Sequence, residues 1–324
     1  MEIPRWEDLP LDKSGPPLNA WGLYGKDDQL GRVNLIDNVA VKRGIAAVTE
    51  GIRINLNMPV TLKGVHPQRQ DATHFVMLRP QCNDDYVAFN TQGSTQWDGL
   101  KHYGYLDWPE SGTHTCYNGT TLKKASMISN PHLGIQNLVS HPISTRAHLL
   151  DIPRYLERKG LPPLQQFFGK TGVSLEVLQG CTADCGIQFA PGDVLCLRVG
   201  HTEALLALPS DEVKEMRHCC EDRGYLEYQG VQPTEQVMKW HWENGFAAVV
   251  TDSPAYERMP FPAKDLSLHA VFLAGWGMPI GELFDLRELA ETCDRLKKWT
   301  FMFTSMPLLI PGGVASPPNA QAIL

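Results

Sequence analysis

Positive charge is nowhere concentrated in this sequence. Lys and Arg are scattered and doubled at 123–124 and 297–298, but they form no run or stripe. The attraction that drives binding to a phosphate backbone is therefore missing, and no nucleic-acid partner is expected. No apolar run reaches the ~20 residues that a membrane-spanning helix needs, so no membrane partner is expected either. The opening "MEIPRWEDLPLDKSGPP" is acidic and polar where a secretory leader would be basic and then apolar. Together these absences point to a soluble cytoplasmic protein. Eight cysteines in 324 residues are too few for a disulfide framework. Neither Cys181 with Cys185 nor the "HCC" cluster at His218–Cys220 has the C-x₂-C spacing of structural zinc sites. The expected state is reduced thiols, partly buried as small hydrophobes. Repeats, low-complexity stretches and a domain linker are missing as well.

What the sequence does contain suits one sizeable core. The chain is 43% hydrophobic and 20% charged with a net charge of −7, close to an ordinary globular protein. The 24 prolines and 28 glycines are spread along it and indicate many turns and long surface loops. Residues 1–20 are proline-rich and read as an extended N-terminal arm, with residues 21–324 as a single domain.

Helical and strand patterns alternate along that domain. "LIDNVAVKRGIAAVTEG" reads as a helix capped by Asp37, with Val39, Ile45, Ala46 and Val48 on its apolar side and Gly51 as its stop. "IRINLNMPV" and "THFVMLRP" alternate like strands, and "DDYVAFNTQGSTQWDGL" reads as strand into loop. A strand near "AHLLDI" precedes a short helix in "IPRYLERKG", and "GDVLCLRVG" and "FAAVVTDS" read as buried strands. Further helices are expected from Ser210 to about Arg223, from about Thr234 to Asn244, and in "DLRELAETCDRLKKW", before a last strand in "TFMFTSMPLLI". The class is α/β with a mixed sheet.

Chemistry concentrates in "TQGSTQWDGLKH", Thr91 to His102. In an extended strand Gln92, Ser94, Gln96 and Asp98 share one face, while Thr95 and Trp97 point the other way. Gln96 and Asp98 then lie about 6.6 Å apart along the strand and can meet one ligand. Gln92 would stand about 20 Å from Asp98 in a straight strand. It can join them only if the backbone curls, which Gly93 and Ser94 allow. His102 follows Gly99 and can fold back to the same place.

"GSTQWDGLKH" resembles the signature H-x-G-T-H-x-D-x-P-x-H of the cyclase family, which includes kynurenine formamidase and isatin hydrolase. Gln92 and Gln96 stand where that family has its first two metal-binding histidines. Asp98 stands on its bridging aspartate, His102 on its catalytic histidine and Thr95 on its threonine. Ser94, Gly99 and Leu100 depart from the usual Gly, Ala and Pro. "PGDVLCLRVGHTE", "GFAAVVTDSPAYE" and "LHAVFLAGWGMPIGELFDLREL" resemble later family segments in the right order, and the last places His269 and Glu282 on the remaining two metal positions. The resemblance implies a single α/β domain with a mixed, partly barrel-like sheet flanked by helices.

The same resemblance implies hydrolysis, or the reverse cyclisation, of an amide, lactone or similar carbonyl compound. An amide oxygen is a much weaker zinc ligand than imidazole, so two of the family's five ligand positions are altered. Three mechanisms remain open. In the first, one divalent ion, zinc or manganese, sits on Asp98, His269 and Glu282, with His102 as general acid or base. In the second no metal is used: His102 paired with Asp98 or Glu282 moves protons in a cyclisation, lactone opening or isomerisation, and Gln92, Gln96, Thr95 and Trp97 contact the substrate. In the third the chain binds a small molecule without turning it over. Trp97, Tyr103, Tyr105, Trp108, Tyr117 and Trp276 lie near the motif positions, and two or three of them in the cleft would suit a flat aromatic or polyketide-like substrate. His114, His132 and His201 read as structural. By the same resemblance the chain forms a homo-oligomer.

Overall fold

A computed structural model describes residues 2–66, 68–167, 171–209, 211–215, 218, 227–260 and 267–324. Its centre is a nine-stranded mixed sheet in the order β1-β11-β9-β5-β6-β7-β8-β4-β10. The strands are β1 (Arg53–Asn55), β4 (Gln96–Asp98), β5 (Ile143–Asp151), β6 (Val194–Arg198), β7 (Ala248–Thr251), β8 (Ile280–Glu282), β9 (Thr300–Ser305), β10 (Ala315–Ser316) and β11 (Ala320–Ile323). β5, β6, β7 and β8 run parallel and the flanking strands pair antiparallel. This curled sheet with flanking helices is the α/β single domain expected from the sequence.

Both faces of the parallel centre are covered, which is why β6 reads as a continuous apolar run. Leu195 and Leu197 belong to one core with Leu156, Leu178, Cys181, Val237 and Trp242. Val194 and Cys196 belong to the other with Leu289, Ala290, Cys293 and Phe301. The covering helices on the first face are α2 (Ile152–Lys159), α3 (Leu175–Asp184) and α4 (Glu235–Glu243), and α5 (Arg287–Leu296) lies on the second. The caps explain their limits. Ser174 and Thr234 accept from the backbone N–H groups of Val177 and Val237, and α2 ends on Gly160 in the left-handed conformation.

Several local expectations change. α1 (Asn38–Ala46) is capped by Asp37 as expected, its carboxylate accepting from the N–H groups of Val39 and Ala40. Its inner face is Ala40 and Gly44, however, while Val39 and Ile45 are exposed. A Cβ on Gly44 would stand 2.7 Å from the Thr145 carbonyl carbon. Small residues thus let the helix lie directly on β5, and the large apolar side chains face outward. "SLEVLQGCTAD" forms α3, a helix its sequence hides behind Gly180, where any side chain would strike the Tyr155 hydroxyl. "DDYVAFNTQGSTQWDGL" divides into β3 (Asn83–Ala88) and β4, and β3 pairs with β2 (Thr73–Leu78) in a separate hairpin. The helix expected from Ser210 falls largely outside the described residues, as do Cys219 and Cys220. Residues 2–20 contain one short 3-10 helix, Trp6–Asp8, and are anchored on the domain: Trp6 and Leu9 are buried in the first core. The described cysteines are all free thiols.

Candidate active site

The site forms where β4 pairs with β8. The register sets Gln96 directly opposite Glu282, Trp97 opposite Gly281 and Asp98 opposite Ile280. Directly opposed residues share a sheet face, and alternation puts Asp98 on that face too. The chain curls in a turn over residues 91–95 before β4 begins, which brings Gln92 back over the strand. Its Nε2 donates to Asp98 Oδ1. Gln96 Nε2 donates to Gln92 Oε1 at 2.9 Å and to Glu282 Oε2 at 3.0 Å. Both amides therefore turn their nitrogens toward the carboxylates. A carboxylate oxygen has no hydrogen to give and requires that orientation.

Two histidines close the cluster. His269 Nε2 lies 3.2 Å from Glu282 Oε1 and 3.7 Å from Asp98 Oδ2. His102 Nε2 lies 3.6 Å from Asp98 Oδ2, after a turn in which the His102 N–H donates to the Gly99 carbonyl. His269 stands at the head of a helical segment, Ala270–Trp276, wound as a π-helix. Its Nδ1 pairs with Glu257 at 2.6 Å, a buried carboxylate that also accepts from the His269 N–H. Sequence reasoning missed Glu257. Its only signal is an acidic residue in the apolar "SPAYE" that follows β7.

Burial and charge set the protonation. Burial would push Asp98 up, but His102, His269 and the Gln92 amide hold it below the usual carboxylate range. Burial and the Asp98 charge push Glu282 up to about 7. His269 would be lowered by burial, but the carboxylates of Glu257, Asp98 and Glu282 raise it well above an ordinary imidazole. For His102, burial outweighs the pull of Asp98 and leaves the ring below the usual value.

Whether these residues suit a metal ion is decided by atoms without partners. Asp98 Oδ2 and Gln96 Oε1 are buried and accept no hydrogen bond. One ligand atom each of Asp98, His102 and His269 lies within 4.8 Å of the others. Two imidazoles around a carboxylate oxygen that accepts no hydrogen bond fit a single divalent cation. Gln92 contributes no ligand in this arrangement, because it uses both amide atoms inside the cluster, whereas Gln96 Oε1 is left as an acceptor without a hydrogen bond. Glu282 borders the trio through His269.

The structure does not bring Thr95 and Trp97 to the site. Thr95 Oγ1 donates to the Leu283 carbonyl and accepts from the Met58 N–H. Trp97 is on the opposite sheet face, packed against Phe284 and Phe303, with its indole N–H on Ser305. The substrate-contact role expected for both is replaced by a structural one. Of the other aromatics, Tyr103 is the one whose ring meets a site residue, His269, at 5.6 Å between centroids. The hydroxyls of Tyr105 and Tyr117 and the indole of Trp276 are tied to Pro17, Asp28 and Leu18. Trp108 packs on the first core.

A family model described as "putative cyclase" matches residues 37–258, a span that holds Asp98 and His102 and ends before His269. A crystal structure of a novel cyclase, 27% identical, superposes with a TM-score of 0.81 over 95% of this chain and 100% of that one. Isatin hydrolase A from Labrenzia aggregata bound to benzyl benzoate is 14% identical, with a TM-score of 0.55 over 86% of this chain and 94% of its own. An isatin hydrolase bound to the product analogue thioisatinate is 12% identical, with a TM-score of 0.53 over 87% and 95%. At such identities the last two show the fold alone. No curated protein sequence matches the chain. A family match over more than half the chain, together with the cyclase structure that superposes over nearly all of it, settles the relationship: the chain belongs to the cyclase family.

Proposed function

We propose that this chain is a hydrolase, or a cyclase running the reverse reaction, acting on a cyclic amide, lactone or similar carbonyl compound, with His102 as general acid and base. One observation carries the assignment. Within the cluster His102 has the most accessible side chain, 19% exposed against 0% for Asp98, 9% for His269 and 3% for Glu282. Among these four side chains it is the one most open to a substrate arriving from solvent.

The neutral ring, favoured near pH 7 by burial, takes a proton from water as the oxygen attacks the carbonyl carbon. The same proton passes to the leaving nitrogen or oxygen as the ring opens. Asp98 Oδ2, 3.6 Å away, stabilises the imidazolium between the two transfers. His102 Nε2 cannot both bind an ion and take this proton, so in this reading Asp98, His269 and Glu282 would hold a divalent ion, zinc or manganese. The chemistry such an ion supplies is polarisation of a carbonyl and acidification of water. Gln96 Oε1, a buried acceptor without a partner, is the atom of the two glutamines available to a substrate donor.

A metal-free cyclase or isomerase is the second reading. The donation of both glutamine amides into Asp98 and Glu282 favours it, since those donors offset the carboxylate charge a cation would otherwise neutralise. Elemental analysis with turnover of cyclic amides and lactones, isatin among them, before and after chelation separates the two readings. Stoichiometric metal lost together with activity would leave the metal-free reading untenable. His102→Ala should keep the fold and lower turnover by roughly 10²–10⁴-fold, and near-wild-type turnover in that variant would remove the assignment.

The proposal extends to assembly. Phe75, Val76, Leu78 and Tyr86 are exposed on the β2–β3 hairpin. A two-stranded hairpin is marginal alone in water, which supports a homo-oligomer. A monomer at micromolar concentration in analytical ultracentrifugation would contradict this.

A further inference from the structure

His269 has one ring nitrogen facing the site and one facing away. The outer nitrogen, Nδ1, meets Glu257 Oε2 at 2.6 Å. Glu257 Oε1 accepts from the His269 backbone N–H at 3.0 Å and from Ser267 Oγ at 3.1 Å. Glu257 is fully buried, and burial of a carboxylate is tolerated only where partners satisfy it. Both of its oxygens are directed at one residue, His269, with Ser267 as an additional donor. Nothing in the proposed proton transfer uses Glu257, yet its arrangement determines what His269 can do.

We propose that Glu257 is the positioning residue that fixes the ring orientation and tautomer of His269. A carboxylate has only acceptors to offer, so Nδ1 must carry the hydrogen of this pair. Nε2 is then the nitrogen presented to Asp98 and Glu282, and in the neutral ring it carries the lone pair that a ligand atom needs. Carboxylate partners of this kind orient ligating imidazoles, and losing one typically weakens metal affinity by about 10–100-fold. The inference rests on the proposed membership of His269 in the functional site.

Glu257→Gln gives a sharp test. The new side chain has one acceptor and one donor group where two acceptors are needed. The backbone N–H of His269 cannot reverse, so it keeps the amide oxygen. The amide NH₂ then faces Nδ1 and drives the ring hydrogen to Nε2, which turns a ligand atom into a donor. Glu257→Asp keeps two acceptor oxygens and should keep the hydrogen on Nδ1.

The readout is the ¹⁵N spectrum of ¹⁵N-histidine-labelled full-length protein, assigned with His269→Gln, alongside Mn²⁺ titration by calorimetry. In the wild type, with the pH raised until the ring is neutral, the one remaining ring hydrogen should sit on Nδ1, and a bare Nδ1 would overturn the proposal. In Glu257→Gln the hydrogen of the neutral ring should move to Nε2 and Mn²⁺ affinity should fall by about tenfold or more. An unchanged tautomer with unchanged affinity would overturn it as well. Should the Gln variant not fold, the wild-type spectrum and Glu257→Asp decide: a ring hydrogen on Nε2 in the Asp variant counts against the assignment, and one on Nδ1 supports it. The ring-nitrogen signal needs neither ion nor substrate, so a failed cation reading is told apart from a failed role for Glu257.

Discussion

Replacing Gln96 by Met tests whether the glutamine amides hold the carboxylates of the site. The two side chains are similar in length, but Met has no donor. Gln96 Nε2 serves two buried acceptors, Gln92 Oε1 at 2.9 Å and Glu282 Oε2 at 3.0 Å. A buried acceptor left without a partner costs about 1–3 kcal/mol. Glu282 can escape its share by keeping a proton, because burial and Asp98 already raise its pKa to about 7. The sign follows from linkage. Removing the donor raises the folded-state value further, so the folded variant binds more protons than the wild type above pH 7 and loses stability there. Below about 7 Glu282 is protonated in both proteins, and mainly the Gln92 acceptor is lost. The expected cost is about 2 kcal/mol at pH 6 and about 4 kcal/mol at pH 9. Urea unfolding of chelated protein measures it: with an unchanged slope, the midpoint should shift about twice as far at pH 9 as at pH 6. Equal shifts at the two pH values would refute the link between Gln96 and Glu282, and no shift at either would refute the hydrogen-bond argument altogether.

The remaining predictions concern the scaffold. Gly31 and Gly160 both have positive φ, 56° and 63°, but a Cβ on Gly31 would run into the Gly277 carbonyl, whereas one on Gly160 meets nothing within 4 Å. Gly160→Ala should therefore cost about 1–2 kcal/mol from backbone strain alone, and Gly31→Ala at least about 1–3 kcal/mol more; equal thermal shifts would contradict the packing argument. Asp37→Ala removes the acceptor for the N–H groups of Val39 and Ala40, both at 2.9 Å. It should lower stability by about 1 kcal/mol, and Asp37→Asn should restore most of it; a neutral Ala variant would show that water replaces the cap.

Much of the fold was legible because its signals are local. Asp37 and Thr234 are caps whose side chains bond to N–H groups two or three residues away. The strands β6 and β7 are largely apolar runs whose neighbours in the sheet need not be known. α1 was placed correctly but turned wrongly, because helical periodicity finds the larger apolar side chains. Contact with β5 instead required the small Ala40 and Gly44. α3 was missed because Gly180 is fitted to Tyr155, 25 positions earlier and invisible to a local pattern.

The site divides in the same way. Alternation along one strand places Gln96 and Asp98 together with Trp97 behind them, and the glycine at 93 marks where Gln92 can return. These follow from backbone geometry over a few residues, and the sequence by itself determined them. Resemblance added His269 and Glu282 as partners without saying how they meet. Tertiary structure decided that Glu282 lies directly across from Gln96, 186 positions away, and that both glutamine amides turn their nitrogens to the carboxylates. It also decided that Glu257 holds the outer face of His269. Those outcomes depend on strand register and on the burial of several charges at one place. Both are set by packing across the whole sheet and by the cost of leaving a buried acceptor without a donor.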